Sequence, residues 1–329
     1  MSQRKPTVFV ARRIPDVGLT AIEAAAEVRL HDKPLPPTRS ELLEGVRECA
    51  GILALLSDRI DGEVLEAAGQ SLRVVSNFAV GYNNIDVAEA ARRGIAVGNT
   101  PDVLTDATAD IAVALLLAAA RRMREGWQSV KGGGWKTWEP LGWIGRDVRG
   151  QTLGIVGMGR IGQAVAERLV HGWGMRLLYT ARSPKPKVDH ELRGQHVELD
   201  KLLAESDFVS VHVSLSPQTR HLIDAAALKL MKPTSVLVNT ARGEVIDQAA
   251  LADALRQGKL FAAGLDVCDP EPLPLDSPLL ELPNCLVLPH VGSATVSARN
   301  AMAERAAGNL IAGIRGEVLP FPVPLSVRS

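Results

Sequence analysis

A glycine-rich turn near the middle of the chain limits the folds that this sequence can adopt. Gly157, Gly159 and Gly162 form the pattern G-x-G-x-x-G, with an apolar run before them and a helical pattern at residues 163–169 after them. In that context the first glycine permits a tight turn, the second lets backbone N–H groups approach a pyrophosphate, and the third lets helix and strand pack closely. The sequence therefore predicts a dinucleotide site whose phosphates lie at the helix N-terminus.

Composition and charge exclude several other classes of protein. The 329 residues carry 37 Lys and Arg against 37 Asp and Glu, so no net charge attracts nucleic acid or an anionic membrane. Cys49, Cys268 and Cys285 lack the spacing of a disulfide framework or a zinc site. The longest apolar run, residues 111–120, is about half a membrane span. We expect a soluble cytoplasmic protein without a metal and without a nucleic-acid or membrane partner.

Strand-like and helical patterns alternate on both sides of the glycine turn. The strand patterns are residues 7–11, 28–31, 51–56 and 74–78 before the turn and residues 153–156, 176–180, 208–213, 236–239, 261–265 and 286–288 from the turn onward. Such alternation indicates parallel sheets that helices cover on both faces. We predict an α/β fold of two Rossmann/flavodoxin-like doubly wound domains.

The central position of the glycine turn predicts how these domains follow one another. Residues 102–123 are rich in Ala and Leu and read as one buried helix, and residues 295–315 read as a final helix. We expect the final helix to return to the first domain. The prediction is a discontinuous substrate domain, residues 1–101 and 295–329, with an NAD(P)-binding Rossmann domain, residues 102–294, inserted into it.

The segment after the second strand of the cofactor domain indicates which nucleotide binds. NAD-binding domains place an acid there for the ribose 2′-OH, whereas residues 168–188 contain no acid. Ala181, Arg182 and Ser183 stand at that position instead. Arg182 can stack and make charge-assisted hydrogen bonds to a 2′-phosphate. We therefore predict that NADPH is preferred over NADH, although a solvated basic loop would have the same composition.

Three polar residues follow the last predicted strands of this domain. Arg242, Glu271 and His290 would meet at the carboxyl edge of the sheet, where open α/β sheets bind ligands. His290 is suited to proton donation, Glu271 to holding its ring charged, and Arg242 to gripping a carboxylate. Each residue alone would more often be structural. Together they predict a catalytic group beside the nicotinamide, while His196 and His212 are expected on the surface or in packing.

With these motifs the chain resembles the D-isomer-specific 2-hydroxyacid dehydrogenase family. The resemblance extends over nearly the whole chain, from residues 74–81 through the glycine turn to the His290 segment. Within the family it is most similar to the glyoxylate/hydroxypyruvate reductases, on residues 135–140, 180–183 and 289–294.

The resemblance implies further site residues and a homodimer formed through the cofactor domains. For the substrate it implies the backbone N–H groups around Val80 and Gly81, together with Ser293 and a Trp138 that reaches the neighbouring subunit's pocket. The cofactor-binding residues that the glycine turn and the resemblance together imply are Met158, Arg160, Ile161, Ser214, Thr240, Asp266, Gly292 and Thr108.

The leading hypothesis is NADPH-dependent reduction of glyoxylate and hydroxypyruvate to glycolate and D-glycerate. Leu55, Leu56 and Ser57 are expected to limit substrate size. A dehydrogenase of the D-lactate or D-phosphoglycerate type is a second possibility. A nucleotide-sensing, corepressor-like binding protein is a third, which an absence of turnover would favour.

Overall fold

The computed structural model describes residues 5–324, and these divide into two compact units. The first unit contains residues 5–104 and 294–324, and the second contains Thr105–Ser293. The sequence placed the boundaries after residues 101 and 294. Residues 1–4 and 325–329 of the predicted substrate domain lie outside the described residues.

The first unit is built on a five-stranded parallel sheet. Its strands are β1 (Thr7–Val10), β2 (Glu27–Leu30), β3 (Gly51–Ala54), β4 (Val74–Asn77) and β5 (Ala96–Gly98), and the helices between them are α1 (Asp16–Ala25), α2 (Arg39–Gly45), α3 (Gly62–Ala68) and α4 (Val87–Arg92). The strand order is β2-β1-β3-β4-β5, which is the flavodoxin-like order. This sheet confirms the predicted α/β class.

The second unit has a seven-stranded parallel sheet in the order β12-β11-β10-β9-β6-β7-β8. Its strands are β6 (Thr152–Val156), β7 (Arg176–Thr180), β8 (Gln195–His196), β9 (Phe208–Val211), β10 (Val236–Asn239), β11 (Ala262–Leu265) and β12 (Cys285–Val287). Its helices are α5 (Thr105–Ala120), α6 (Met123–Lys131), α7 (Arg160–Trp173), α8 (Pro186–Glu191), α9 (Leu199–Glu205), α10 (Ala225–Leu230), α11 (Gln248–Arg256) and α12 (Pro278–Glu281). From β6 the strands are added on one side of the sheet as far as β8, and from β9 they are added on the other side of β6. This change of side between β6 and β9 confirms the predicted doubly wound arrangement.

The apolar segment before the glycine turn forms two helices, so the prediction of one helix over residues 102–123 was wrong. The helix α5 ends at Ala120, and α6 begins at Met123. Between them Arg122 takes a left-handed conformation with φ of 52°. The helix α5 is largely buried. It packs closely on β11 because Gly264 has no side chain, and a Cβ there would lie 2.9 Å from Leu115 Cβ.

The helix α13 (Val296–Arg315) belongs to the first unit. It packs on β4, where a Cβ on Gly313 would lie 2.3 Å from Val74 Cβ. The Ser76 hydroxyl, also on β4, donates to the Ala306 carbonyl of α13 at 2.8 Å. The core of the first unit is therefore completed by residues from the end of the chain.

Candidate active site

Three neighbouring strands of the second unit bring the predicted catalytic residues to one edge of its sheet. The strands β10, β11 and β12 are parallel and adjacent, so their carboxyl ends lie side by side. Arg242 follows β10, Glu271 follows β11, and His290 follows β12. The carboxyl edge is where ligands bind in open α/β sheets.

His290 and Glu271 form a direct pair. His290 Nδ1 lies 2.8 Å from Glu271 Oε2, and the side chains are 24% and 31% exposed. The other carboxylate oxygen, Glu271 Oε1, accepts the Cys268 N–H at 3.0 Å, which fixes the carboxylate on its own loop. With Nδ1 bound to Glu271, Nε2 is the ring nitrogen that can exchange a proton with a substrate.

Asp266 holds the loop that carries His290. Its two carboxylate oxygens accept the N–H groups of Val291 and Gly292, both at 2.8 Å. His290 itself has a φ of 56°, an uncommon conformation for a residue with a side chain. Burial raises the pKa of Asp266, and the two N–H groups oppose that rise. The structure thus gives Asp266 a positioning role that the sequence did not reveal.

The turn that presents Arg242 is shaped by a buried amide. Asn239 Oδ1 accepts the Ala241 N–H at 2.9 Å, and Asn239 Nδ2 donates to the Arg242 carbonyl at 2.8 Å. Gly243, the residue after Arg242, must be glycine, because a Cβ there would lie 2.0 Å from the Cys268 carbonyl carbon. This close approach brings the Arg242 turn against the loop that carries Glu271.

The electrostatics of this group suit acid–base chemistry on an anionic substrate. Burial lowers the pKa of Arg242, against the charges of Glu271 and Glu244, but a guanidinium titrates so high that it stays charged. Burial would raise the pKa of Glu271, yet the hydrogen bond and charge of His290 hold it below its ordinary value. Burial, with Glu271 and Asp266, raises the pKa of the Cys268 thiol to about 11. Cys268 is therefore not a thiolate nucleophile near neutral pH.

The glycine turn has the geometry that a dinucleotide requires. Gly157 has a φ of 100°, and a Cβ on Gly162 would lie 2.3 Å from the Gly157 carbonyl oxygen. A Cβ on Gly159 would meet no atom within 4 Å, so the backbone there is open to a close approach. The helix α7 starts directly after Gly159 without a side-chain cap. Its first N–H groups can therefore bind phosphate oxygens, and the residues present fit a dinucleotide.

The loop after β7 carries Ala181, Arg182 and Ser183, and Arg182 and Ser183 are exposed. Its fold depends on two aromatic residues: the Tyr179 hydroxyl accepts the Lys185 N–H at 2.6 Å, and His196 Nε2 lies 2.9 Å from the Ala181 carbonyl oxygen. Neither support was predicted from sequence.

Other predicted cofactor residues lie along the same carboxyl edge. Ser214 follows β9, Thr240 follows β10, and Thr108 of α5 lies beside Gly292. His212, which the sequence assigned to surface or packing, is partly buried, and its Nδ1 lies 3.4 Å from Thr240 Oγ1. Burial lowers the pKa of His212 to about 3, so its ring is neutral near pH 7. Met158 is buried, and Arg160 is exposed beside partly buried Ile161 in the first turn of α7.

The remaining predicted substrate residues lie in different parts of the chain. Val80 and Gly81, in the first unit, follow β4 in a partly exposed loop. Ser293 is the last residue of the second unit and is partly exposed. Trp138 is 80% exposed in the segment after α6. Its contact with a neighbouring subunit stays a prediction.

Residues 5–324 contain neither a metal-binding cluster nor a helix that could cross a membrane. No three His, Cys, Asp or Glu side chains in this part of the chain are grouped so that they could hold a metal ion. None of its helices combines the length and the apolar character needed to cross a lipid bilayer.

The chain is similar to known 2-hydroxyacid dehydrogenases and glyoxylate reductases. A family model described as D-isomer specific 2-hydroxyacid dehydrogenase, NAD binding domain, matches residues 113–292. A glyoxylate reductase of Korarchaeum cryptofilum is 52% identical over 317 residues, which are 96% of this chain and 95% of that protein. The human glyoxylate reductase/hydroxypyruvate reductase is 47% identical over 322 residues, covering 97% and 98% of the two chains.

A solved structure also matches nearly the whole chain. It is an NADPH-dependent glyoxylate/hydroxypyruvate reductase from Sinorhizobium meliloti, in complex with NADP and malonate. The TM-score is 0.83 at 34% sequence identity, covering 98% of this chain and 97% of that one.

Proposed function

Because the chain belongs to the D-isomer specific 2-hydroxyacid dehydrogenase family, we propose that it reduces glyoxylate and hydroxypyruvate to glycolate and D-glycerate, with NADPH as the preferred cofactor. The observation that carries this proposal is the His290–Glu271 pair beside the Arg242 turn, at the carboxyl edge of a sheet that also presents the glycine turn. Relatives that are about half identical over nearly the whole chain support the choice of substrate.

His290 supplies the proton in this reaction. When bound, the nicotinamide provides a hydride for the carbonyl carbon, and the carbonyl oxygen then needs a proton. His290 in its imidazolium form donates that proton from Nε2, while Glu271 holds the ring in place through Nδ1. Positioned general acids of this kind contribute about 10²- to 10⁴-fold to the rate.

Arg242 and the Val80–Gly81 backbone bind the substrate. The planar guanidinium of Arg242 suits a carboxylate, and it also polarises the neighbouring keto oxygen, on which negative charge develops. We assign a second contact with the carboxylate to the N–H groups of Val80 and Gly81. Arg182, Ser183 and the first turn of α7 hold the cofactor phosphates, with Gly157 and Gly159 allowing the approach.

Turnover with a small set of keto acids tests this function. Oxidation of NADPH is followed with glyoxylate, hydroxypyruvate and pyruvate, and each is repeated with NADH. We expect glyoxylate and hydroxypyruvate to be reduced faster than pyruvate, with the higher kcat/KM for NADPH. A clear preference for NADH would refute the cofactor assignment, and nucleotide binding without any turnover would favour a nucleotide-sensing binding protein.

His290→Ala separates catalysis from cofactor binding. We expect kcat to fall by about 10²- to 10⁴-fold, because the proton donor is lost. The Kd for NADPH, measured by fluorescence titration, should stay within about 2-fold, because a smaller side chain at this position leaves the glycine turn intact. If activity survives this substitution, the proton donor is another group.

A further inference from the structure

The loop after β4 has three successive carbonyl groups tied to the body of the first unit. The Ala79 carbonyl accepts the Thr100 N–H at 2.9 Å. The Val80 carbonyl accepts a hydrogen bond from Asn99 Nδ2 at 2.7 Å. The Gly81 carbonyl accepts one from Asn77 Nδ2 at 2.8 Å. Each peptide plane of this loop is therefore fixed by a separate donor.

Fixing these carbonyls also fixes the direction of the N–H groups. In a planar trans peptide the C=O of one residue and the N–H of the next point in opposite directions. The Val80 and Gly81 N–H groups must therefore point away from Thr100 and Asn99. Within residues 5–324 neither N–H donates to an acceptor, and both residues are partly exposed. Adjacent N–H groups that point the same way form an anion-binding surface.

Asn99 is itself held rigidly by the returning end of the chain. Its carbonyl accepts a hydrogen bond from Asn309 Nδ2 at 3.0 Å, and its N–H donates to the Phe321 carbonyl at 3.2 Å. Asn309 is fully buried in α13. The side chain of Asn99 therefore starts from a fixed backbone when it reaches the Val80 carbonyl.

We propose that Asn99 is a positioning residue for substrate binding: by holding the Val80 carbonyl, it aims the Gly81 N–H at the substrate carboxylate. In this role Asn99 acts through the Val80 carbonyl, which accepts its amide N–H. This role rests on the proposed function, in which Val80 and Gly81 bind that carboxylate. Without the amide donor of Asn99 the peptide between Val80 and Gly81 is free to rotate, and the carboxylate loses a charge-assisted hydrogen bond.

Asn99→Leu tests the proposal, because leucine is close in size, uncharged and unable to donate. A carboxylate contact is made in both the ground state and the transition state, so its loss raises KM and leaves kcat nearly unchanged. We expect KM for glyoxylate to rise by about 10- to 100-fold, the value of one hydrogen bond to a charged group. The Kd for NADPH should not change, and Asn99→Ala, as a second variant, should give the same split.

Asn284→Leu is the matched control. Asn284 Nδ2 donates to the Phe261 carbonyl at 3.0 Å at the amino end of β12, away from the carboxyl edge. This variant should melt at a lower temperature with an unchanged KM. An unchanged KM in both Asn99 variants would overturn the positioning role. So would a fall in kcat as large as the rise in KM, if it accompanies a lower Tm, because the substitution would then only have destabilised the fold. A wild-type enzyme that does not reduce glyoxylate would instead remove the proposed function itself.

Discussion

The hydrogen bond between His290 and Glu271 decides how the imidazole can act. Because Nδ1 is held 2.8 Å from Glu271 Oε2, Nε2 is the nitrogen presented for proton transfer. Burial would raise the pKa of Glu271, but the hydrogen bond and charge of His290 outweigh it, and the pKa lies below its ordinary value. Glu271 is therefore ionised near neutral pH.

Glu271→Gln should slow reduction without weakening cofactor binding. The amide keeps the size of the side chain but replaces the carboxylate that lies 2.8 Å from His290 Nδ1. We expect kcat to fall by about 10- to 100-fold, the value of one hydrogen bond to a charged group, while the Kd for NADPH stays unchanged. Glu244→Gln, which removes another carboxylate whose charge acts on Arg242, is the control and should change kcat by less than about 2-fold. An unchanged kcat in Glu271→Gln would show that the charge of Glu271 is unimportant.

Elements with strong local patterns were predicted well, and elements made by distant contacts were not. Buried strands such as β6 and β10 are apolar runs that any such sheet needs. The strand β8 has two residues and exists because Gln195 pairs with Leu178 of β7. At the break before α6, the Arg122 guanidinium binds the nearby Glu125 and also lies over the ring of the more distant Trp143. The pairing of β8 and the contact with Trp143 leave no pattern in the local sequence.

The same division applies to the candidate site. Arg242, Glu271 and His290 could be predicted because each follows a recognisable strand. The residues that hold the His290 loop and the Val80 loop were missed, since Asp266 reaches the Gly292 N–H across 26 positions and Asn99 reaches the Val80 carbonyl across 19. Such contacts require the three-dimensional arrangement of strand ends, which periodicity does not contain.

Replacing Arg182, in the loop after β7, tests the preference for NADPH. Arg182 is exposed on a loop that Tyr179 and His196 hold in shape, so its replacement should not disturb the fold. We expect Arg182→Ala to lower kcat/KM for NADPH by about 10- to 100-fold, as the loss of a charge-assisted contact with the 2′-phosphate. The value for NADH should stay within about 2-fold. Lys201→Ala removes an exposed cation from α9 as a control, and equal losses for both cofactors would contradict a 2′-phosphate contact.

The first unit is complete only when α13, which is far along the chain from its other helices and strands, packs on it. The helix α13 lies against α1, where a Cβ on Gly18 would lie 2.6 Å from the Ala303 carbonyl oxygen. It also lies against β4, where Gly313 meets Val74. Asn309 of the same helix holds Asn99. The end of the chain thus stabilises the sheet of the first unit and the loop to which we assign carboxylate binding.

Two glycines in α13 provide a test of this packing. A Cβ on Gly313 would lie 2.3 Å from Val74 Cβ, whereas a Cβ on Gly308 would meet no atom within 4 Å. Gly313→Ala should therefore push α13 off the sheet and lower the free energy of unfolding by about 1–3 kcal/mol. Gly308→Ala should raise it by about 0.5–1 kcal/mol, because alanine is the better helix former. Urea denaturation combined with hydrogen exchange at the β3 and β4 amides measures both effects. Since the two substitutions are chemically identical and lie in one helix, shifts in the same direction would show that α13 does not pack closely against β4.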